Sequence, residues 1–71
     1  MDREQTIRSL EEAAARHAAR RDELSAQGKA ISANLEESRR SRCIESADAL
    51  RAQEARDKAA AERAAGQAML F

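Results

Sequence analysis

The sequence lacks both the residues that interrupt helices and most of the residues that build sheets. Its 71 residues include no proline, two glycines and no valine, tyrosine or tryptophan, and threonine occurs once. Alanine, with 18 residues, dominates together with Glu, Arg, Gln and Leu, which are residues that lose little on entering a helix. Because strands prefer β-branched and aromatic side chains, this composition predicts an all-α protein.

Cysteine and histidine occur once each, and this excludes two common stabilising devices. A single Cys43 cannot form an internal disulfide, and Cys43 with His17 cannot supply a four-ligand zinc site. No apolar run approaches the roughly 20 residues of a membrane-spanning helix. The chain opens with the polar residues Asp2, Arg3 and Glu4 rather than with a hydrophobic segment. We therefore expect a cytoplasmic protein with no membrane segment and no cofactor.

Net charge and large apolar side chains are also in short supply. The 13 basic and 13 acidic residues cancel, whereas proteins that bind nucleic acid generally show a basic excess. Three Ile, five Leu, two Met and one Phe are too few to balance the conformational entropy of a chain of this length. We expect self-association or a partner to supply the missing stabilisation.

Apolar and small residues recur at alternating spacings of three and four, as in a coiled coil. A first stripe runs through Ile7, Leu10, Ala14, His17, Arg21, Leu24, Gly28, Ile31 and Leu35. A second stripe, in a different frame, runs through Cys43, Ala47, Leu50, Glu54, Asp57, Ala61, Ala64, Ala68 and Phe71. The change of frame near Arg39 indicates that the chain reverses there.

The two stripes predict an antiparallel helical hairpin. The first helix would span about residues 3–37, the turn about 38–42, and the second helix about 43–67. We expect two such hairpins to pair into a four-helix bundle or a coiled-coil assembly. The predicted self-association seam consists of Ile7, Leu10, Leu24, Ile31, Leu35, Ile44 and Leu50.

Folding the stripes about residue 39 brings large side chains opposite small ones. In this arrangement Arg21 faces Asp57, and Gly28 faces Leu50, where the missing side chain would leave room for the leucine. A glycine inside a helix nevertheless costs about 1 kcal/mol relative to alanine. The second interpretation therefore puts the turn at residues 25–28. It gives helices of about 23 and 38 residues, and the large and small residues of the two stripes then no longer face one another.

No residue pattern predicts catalysis. His17 lies in an arginine-rich segment whose positive charge disfavours a protonated imidazole, and no acid–base partner accompanies it. The basic residues around Cys43 favour a lowered thiol pKa. Burial of Cys43 against Leu35 is the preferred interpretation, because free cysteine commonly behaves as a small hydrophobic residue. Since a two-helix hairpin offers no obvious pocket, we expect a protein that is not an enzyme.

Two arginine clusters and the apolar final residues are the candidates for binding a partner. Arginine suits carboxylates and phosphates alike through its planar guanidinium. Methionine and phenylalanine are enriched in binding surfaces, although the final residues could instead cover Ile7 and Leu10 at the open end of the hairpin. The candidate residues are Arg16, Arg20, Arg21, Arg39, Arg40, Arg42, Met69, Leu70 and Phe71.

Two classes of function fit this pattern. In size and in its Ala- and Arg-rich helical composition, the chain resembles small accessory proteins of phages and other mobile elements, many of which bind a host protein. The first hypothesis is accordingly a homodimeric interaction module that regulates or inhibits a partner protein. The alternative is a hairpin that contacts nucleic acid through its arginine clusters. Salt dependence distinguishes them, because phosphate binding weakens steeply with salt.

Overall fold

The chain folds into two helices that form an all-α hairpin. The structure is a computed structural model that describes the backbone of residues 2–69 and the side chains of residues 2–67. Helix α1 spans Arg3–Ala26 (24 residues), and α2 spans Ala30–Met69 (40 residues). The prediction of an all-α helical hairpin is confirmed.

A capping box fixes the start of α1. The backbone N–H of Gln5 donates to the Asp2 carboxylate (2.7 Å), and the backbone N–H of Asp2 donates to Oε1 of Gln5 (3.3 Å). Two backbone donors near the helix start are thereby satisfied. Asp2 also places a negative charge at the positive end of the helix dipole.

The turn lies at residues 27–29, so the predicted turn at 38–42 is wrong. Gly28 adopts a positive φ of 76°, which an L side chain adopts at a cost of about 1–2 kcal/mol. Its N–H donates to the carbonyl of Ser25 (3.0 Å), and the N–H of Lys29 donates to the carbonyl of Leu24 (2.9 Å). These two bonds form a Schellman motif, in which glycine ends a helix by turning left-handed.

The predicted packing role of Gly28 is wrong for the same reason. No atom lies within 4 Å of the place that a Cβ on Gly28 would occupy, so the glycine makes no room for Leu50. Residues 38–42 instead continue α2 without interruption. They contain neither glycine nor proline, and nothing in their chemistry ends a helix.

The face between the helices follows the predicted stripes only in part. On α1, Ile7, Ala14 and Leu24 are buried, as the first stripe predicts. On α2, Ala33 and Ala47 are buried. Continued backward from Cys43 at the same alternating spacing, the second stripe reaches Ala33, so it begins ten residues earlier than predicted. The frame therefore changes at the glycine turn, because that is where the chain reverses.

The facing pairs that were predicted by folding the two stripes about residue 39 do not form. Ile31 is 82% exposed and Leu35 is 56% exposed, so neither lies in the interface between α1 and α2. Arg21 binds Glu37 rather than Asp57, and Asp57 instead accepts a hydrogen bond from Arg3 at 2.9 Å.

The molecule is long and thin. Its extents are 66 × 18 × 13 Å and its radius of gyration is 18.5 Å, against about 11 Å for a compact chain of this length. Its accessible surface of 5533 Å² exceeds the roughly 4,400 Å² expected for a folded monomer of this mass. The ion pair between Arg3 and Asp57 marks where α1 begins alongside α2, and α2 extends beyond that level with every side chain from 51 to 67 exposed.

Within the part of the chain that the structure describes, neither helix combines the length and the apolar character needed to cross a membrane.

Candidate protein-binding surface

The hairpin divides the predicted arginine clusters between two sides of the molecule. Arg21 and Arg40 lie on one side and share the same carboxylate, that of Glu37. Arg20 and Arg39 lie on the other side, where they line a common hollow. The two clusters therefore do not act as units, because each contributes residues to both sides.

Glu37 holds the first group of arginines in place. Its carboxylate accepts hydrogen bonds from Arg40 Nε (3.0 Å) and Nη2 (2.6 Å), and another from Arg21 across the interface. The bonds from Arg40, and next those from Arg21, lower the pKa of Glu37 to about 2. The same bonds raise the pKa of both arginines above their usual range. Arg21 and Arg40 are thus committed to a bond network within the hairpin.

Glu36 joins the helices one residue earlier. It is only 9% exposed, and its carboxylate accepts hydrogen bonds from His17 Nδ1 (2.6 Å) and Arg39 Nη1 (2.8 Å). An ionised carboxylate can only accept, so Nδ1 is the protonated nitrogen of His17. These contacts, that of His17 foremost, lower the pKa of Glu36. His17 is therefore a structural residue at the helix interface.

The second side of the hairpin carries a hollow of about 320 Å³ near the turn, in which three cations surround two leucines. The lining includes Arg20 from α1, Lys29 from the turn and Arg39 from α2, with the buried Leu24 and the exposed Leu35 between them. The remaining lining residues are Ser32 and Glu36.

Two further arginines extend this surface by one helical turn. Residues three or four apart lie on one side of a helix, so Arg16 continues the row of Arg20 and Arg42 continues the row of Arg39. We call the resulting surface the basic groove. It comprises Arg16, Arg20, Leu24, Lys29, Leu35, Arg39 and Arg42.

Of the five cations of the basic groove, only Arg39 has a close ion pair among the described residues, with Glu36 at 2.8 Å. Within residues 2–67, Arg16, Lys29 and Arg42 form no ion pair within 4 Å. Arg20 has only a 3.7 Å contact with the exposed Glu23, which is worth little in water. The groove therefore keeps a concentration of positive charge in a chain whose net charge is zero.

The opposite side of the hairpin is apolar and balanced in charge. A hollow of about 290 Å³ is lined by Ala14, Ala15, Ala18 and Ile44, with Glu11 and Arg40 at its edges. We call the exposed or half-buried members of this set, Ala15, Ala18 and Ile44, the alanine face. Both of its flanking charges are paired, Glu11 with Arg51 and Arg40 with Glu37.

The predicted seam residues separate into three groups. Ile7 and Leu24 are buried within the hairpin, and Leu10 and Leu50 are half-buried. Ile31, Leu35 and Ile44 remain exposed. Only the exposed group keeps much apolar surface for a contact between molecules.

Cys43 and the final residues of the chain are the remaining candidates. Cys43 is half-buried with a free thiol, and the side chains of Met69, Leu70 and Phe71 lie outside the described residues. Within the described part, no group of three or more His, Cys, Asp and Glu side chains could hold a metal ion.

A further hollow, of about 500 Å³, lies near the start of α1 and presents charges of both signs. Its lining contains no Ser, Thr, Cys or His side chain, and its charged groups are carboxylates, arginines and one lysine. The lining residues are Glu4, Ile7, Arg8, Glu11, Arg51, Glu54, Ala55 and Lys58.

Sequence reasoning missed three residues that shape these surfaces. Lys29 follows the glycine that ends α1, and a prediction of the turn at Gly28 would have placed Lys29 near Arg20. The adjacent carboxylates Glu36 and Glu37 belong to neither predicted stripe. Both lie about two turns after a helix start at residue 30, and a helix that starts there could have indicated their inward orientation.

Comparisons of the chain with family models, with curated proteins and with solved structures give no match.

Proposed function

We propose that this protein is a small interaction module, without catalytic activity, that binds an acidic surface of a partner protein and thereby regulates or inhibits the partner. One observation carries the proposal: the cations of the basic groove surround Leu24 and Leu35, and the only carboxylate in the hollow, that of Glu36, is already bonded to His17 and Arg39. Electrostatic complementarity of this kind gives a surface its specificity and a fast association.

The mixture of charge and apolar surface favours a protein over a nucleic acid. The floor of the groove is leucine, and the described residues include no Phe, Tyr or Trp side chain on which a base could stack. The net charge of zero supports the same choice, because an extended basic surface is the electrostatic mark of a nucleic-acid binder. Contact with nucleic acid through the same arginines is the alternative.

Affinity capture with charge-reversed variants tests the proposal. Arg20→Glu with Arg42→Glu should abolish capture of a protein partner from cells of the source organism. Arg56→Glu with Arg63→Glu is the matched control, because it makes the same change in net charge at exposed positions of α2 outside the groove. Captured proteins are identified by mass spectrometry, and co-purified nucleic acid by absorbance.

Two results would contradict the proposal. If the control variant loses the partner as completely as the groove variant, the basic groove is not the binding surface. If the captured material is nucleic acid that dissociates steeply with salt, the alternative function is correct.

We also propose that two hairpins pair through their alanine faces. The excess of accessible surface over that of a compact monomer, and the exposure of Ile44 (37%), support a further contact. Alanines let two helices approach closely, and the paired charges at the edges of this face would not repel one another. Two basic grooves facing each other would instead bring like charges together.

A further inference from the structure

We infer that the basic groove receives an amphipathic helix of the partner, with an apolar stripe flanked on both sides by Asp or Glu, as a third helix packed against α1 and α2. The inference rests on the proposed function and deepens it, because it names the shape and the chemistry of the segment that is bound.

The leucines give the groove an apolar floor. Leu24 is buried at the end of α1, while Leu35 is 56% exposed on α2, and both line the same hollow of about 320 Å³. An exposed leucine beside a buried one leaves apolar surface in water, which an apolar side chain of a ligand would cover. A purely ionic ligand, such as a phosphate or an acidic loop, would leave the apolar surface of the leucines exposed to water.

The cations form two rows with the repeat of a helix. Arg16 and Arg20 are four residues apart on α1, and Arg39 and Arg42 are three residues apart on α2. The spacing within each row is therefore about one helical turn, 5–6 Å. Carboxylates on either side of the apolar stripe of a bound helix repeat at the same distance. In an extended peptide the side chains on one face repeat every two residues, about 6.6 Å, which is longer than the repeat of either row.

The length of the groove sets the length of the segment. From Lys29 to Arg42 the surface follows 13 steps along the chain, which is about 20 Å at the rise of an α-helix. A partner helix of about four turns would fill the groove. Its acidic flanks would meet Arg16 and Arg20 on one side and Arg39 and Arg42 on the other.

A second copy of this chain is the weaker occupant. Its own groove is equally basic, and the charges of Glu4, Arg8 and Glu12 on α1 alternate in sign. The occupant with complementary charge is therefore a segment that is acidic along both edges of its apolar stripe.

Titration of the full-length protein with designed peptides tests the inference. The probe is a fluorescent 14-residue peptide with leucines at helical spacing and Glu on both flanks. A scrambled peptide of the same composition and a single-stranded oligonucleotide are the comparisons. We expect the patterned peptide to bind at least tenfold more tightly than the scrambled one, by fluorescence anisotropy, and to become helical by circular dichroism.

Two matched variants examine the floor of the groove. Leu35→Ser should weaken binding of the patterned peptide about tenfold, the loss of one apolar anchor. Ile44→Ser, on the same helix but on the opposite side, in the alanine face, should leave binding unchanged. Both side chains are exposed, so neither substitution should alter the helix content of the free protein.

The possible outcomes separate the inference from the proposed function. Equal binding of the patterned and scrambled peptides would overturn the helical ligand and leave an acidic protein partner in place. Binding of the oligonucleotide with no binding of either peptide would overturn both. If none of the three binds, the inference is wrong, and capture of a protein that depends on Arg20 and Arg42 still decides the proposed function.

Discussion

Two neighbouring carboxylates on α2, Glu36 and Glu37, join the helices near the turn. Glu36 reaches His17 and Arg39, while Glu37 reaches Arg21 and Arg40. Each glutamate thus bonds one residue of α1 and one residue of its own helix. Polar groups at a helix interface often fix register at some cost in stability, and we propose that role for this pair.

The low pKa of Glu37 predicts a loss of stability in acid. Because the folded state holds this pKa at about 2, below its value in the unfolded chain, the ionised carboxylate stabilises the fold above the unfolded value. That contribution is lost as the pH falls toward about 2. The thermal midpoint, followed by circular dichroism between about pH 5 and pH 2, should fall less in Glu37→Gln than in the parent protein.

Glu45→Gln provides the control for this measurement, since Glu45 is exposed on the same helix and has no ion pair within 4 Å among the described residues. It should retain the pH dependence of the parent protein. An identical pH dependence in Glu37→Gln would show that its contacts with Arg21 and Arg40 do not contribute to stability.

At the level of the elements, one glycine decides where the two helices separate. The Schellman motif at Gly28 ends α1 after 24 residues and leaves α2 with 40. This inequality produces the unpaired extension of α2. The turn at Gly28 also brings Arg20, Lys29 and Arg39 together, because a turn at residues 38–42 would have placed Arg39 in the turn itself, several helical turns beyond Arg20.

The two glycines should respond to alanine in opposite directions. Gly28→Ala should destabilise the fold by about 1–2 kcal/mol, because alanine resists a positive φ. Gly66→Ala should stabilise α2 by up to about 1 kcal/mol, because Gly66 lies within the helix and no atom blocks the added Cβ. Urea denaturation measures both effects. Stabilisation by Gly28→Ala would mean that residue 28 is helical and that the turn lies elsewhere.

As a whole, the molecule keeps two different sides because its core is so narrow. The fully buried apolar residues are few and three of the five are alanines: Ile7, Ala14, Leu24, Ala33 and Ala47. Two helices cannot enclose more, so apolar side chains such as Ile44 and Leu35 remain at the edges of the interface. The charges beside them then determine what each side can bind.

Self-association predicts a thermal midpoint that rises with protein concentration. Ala15→Glu places a charge on the alanine face and should produce a monomer with unchanged helix content, measured by sedimentation. The matched control is Ala49→Glu, an exposed position on the outer side of α2, which should remain dimeric. A parent protein that sediments as a folded monomer at tens of micromolar, with a constant midpoint, would contradict the dimer.

The sequence by itself determined the helical class, the hairpin and the inward face of α1. Alanine and long-chain residues favour helix locally, and the positions of Ile7, Leu10 and Leu24 repeat at the helical period. The helical class and the inward face depend on single residues or on neighbours within two turns, and the hairpin was predicted from the change of frame between the two stripes. No contact between distant parts of the chain is needed to read them.

Only the tertiary structure decided where the chain reverses and which charges face inward. Ile31 and Leu35 continued the first stripe by spacing and yet lie outside the helix interface, while Glu36 lies inside it. Judged by hydrophobicity alone, Ile31 and Leu35 would be buried and Glu36 would be exposed. The burial of Glu36 depends on His17, 19 residues away, and a buried carboxylate is stable only where such partners exist. Pairing within the hairpin also separated the arginines: Glu37 binds Arg21 and Arg40, and Glu36 binds Arg39. Among the described residues, Arg16 and Arg42 have no carboxylate within 4 Å and keep their charge for a partner.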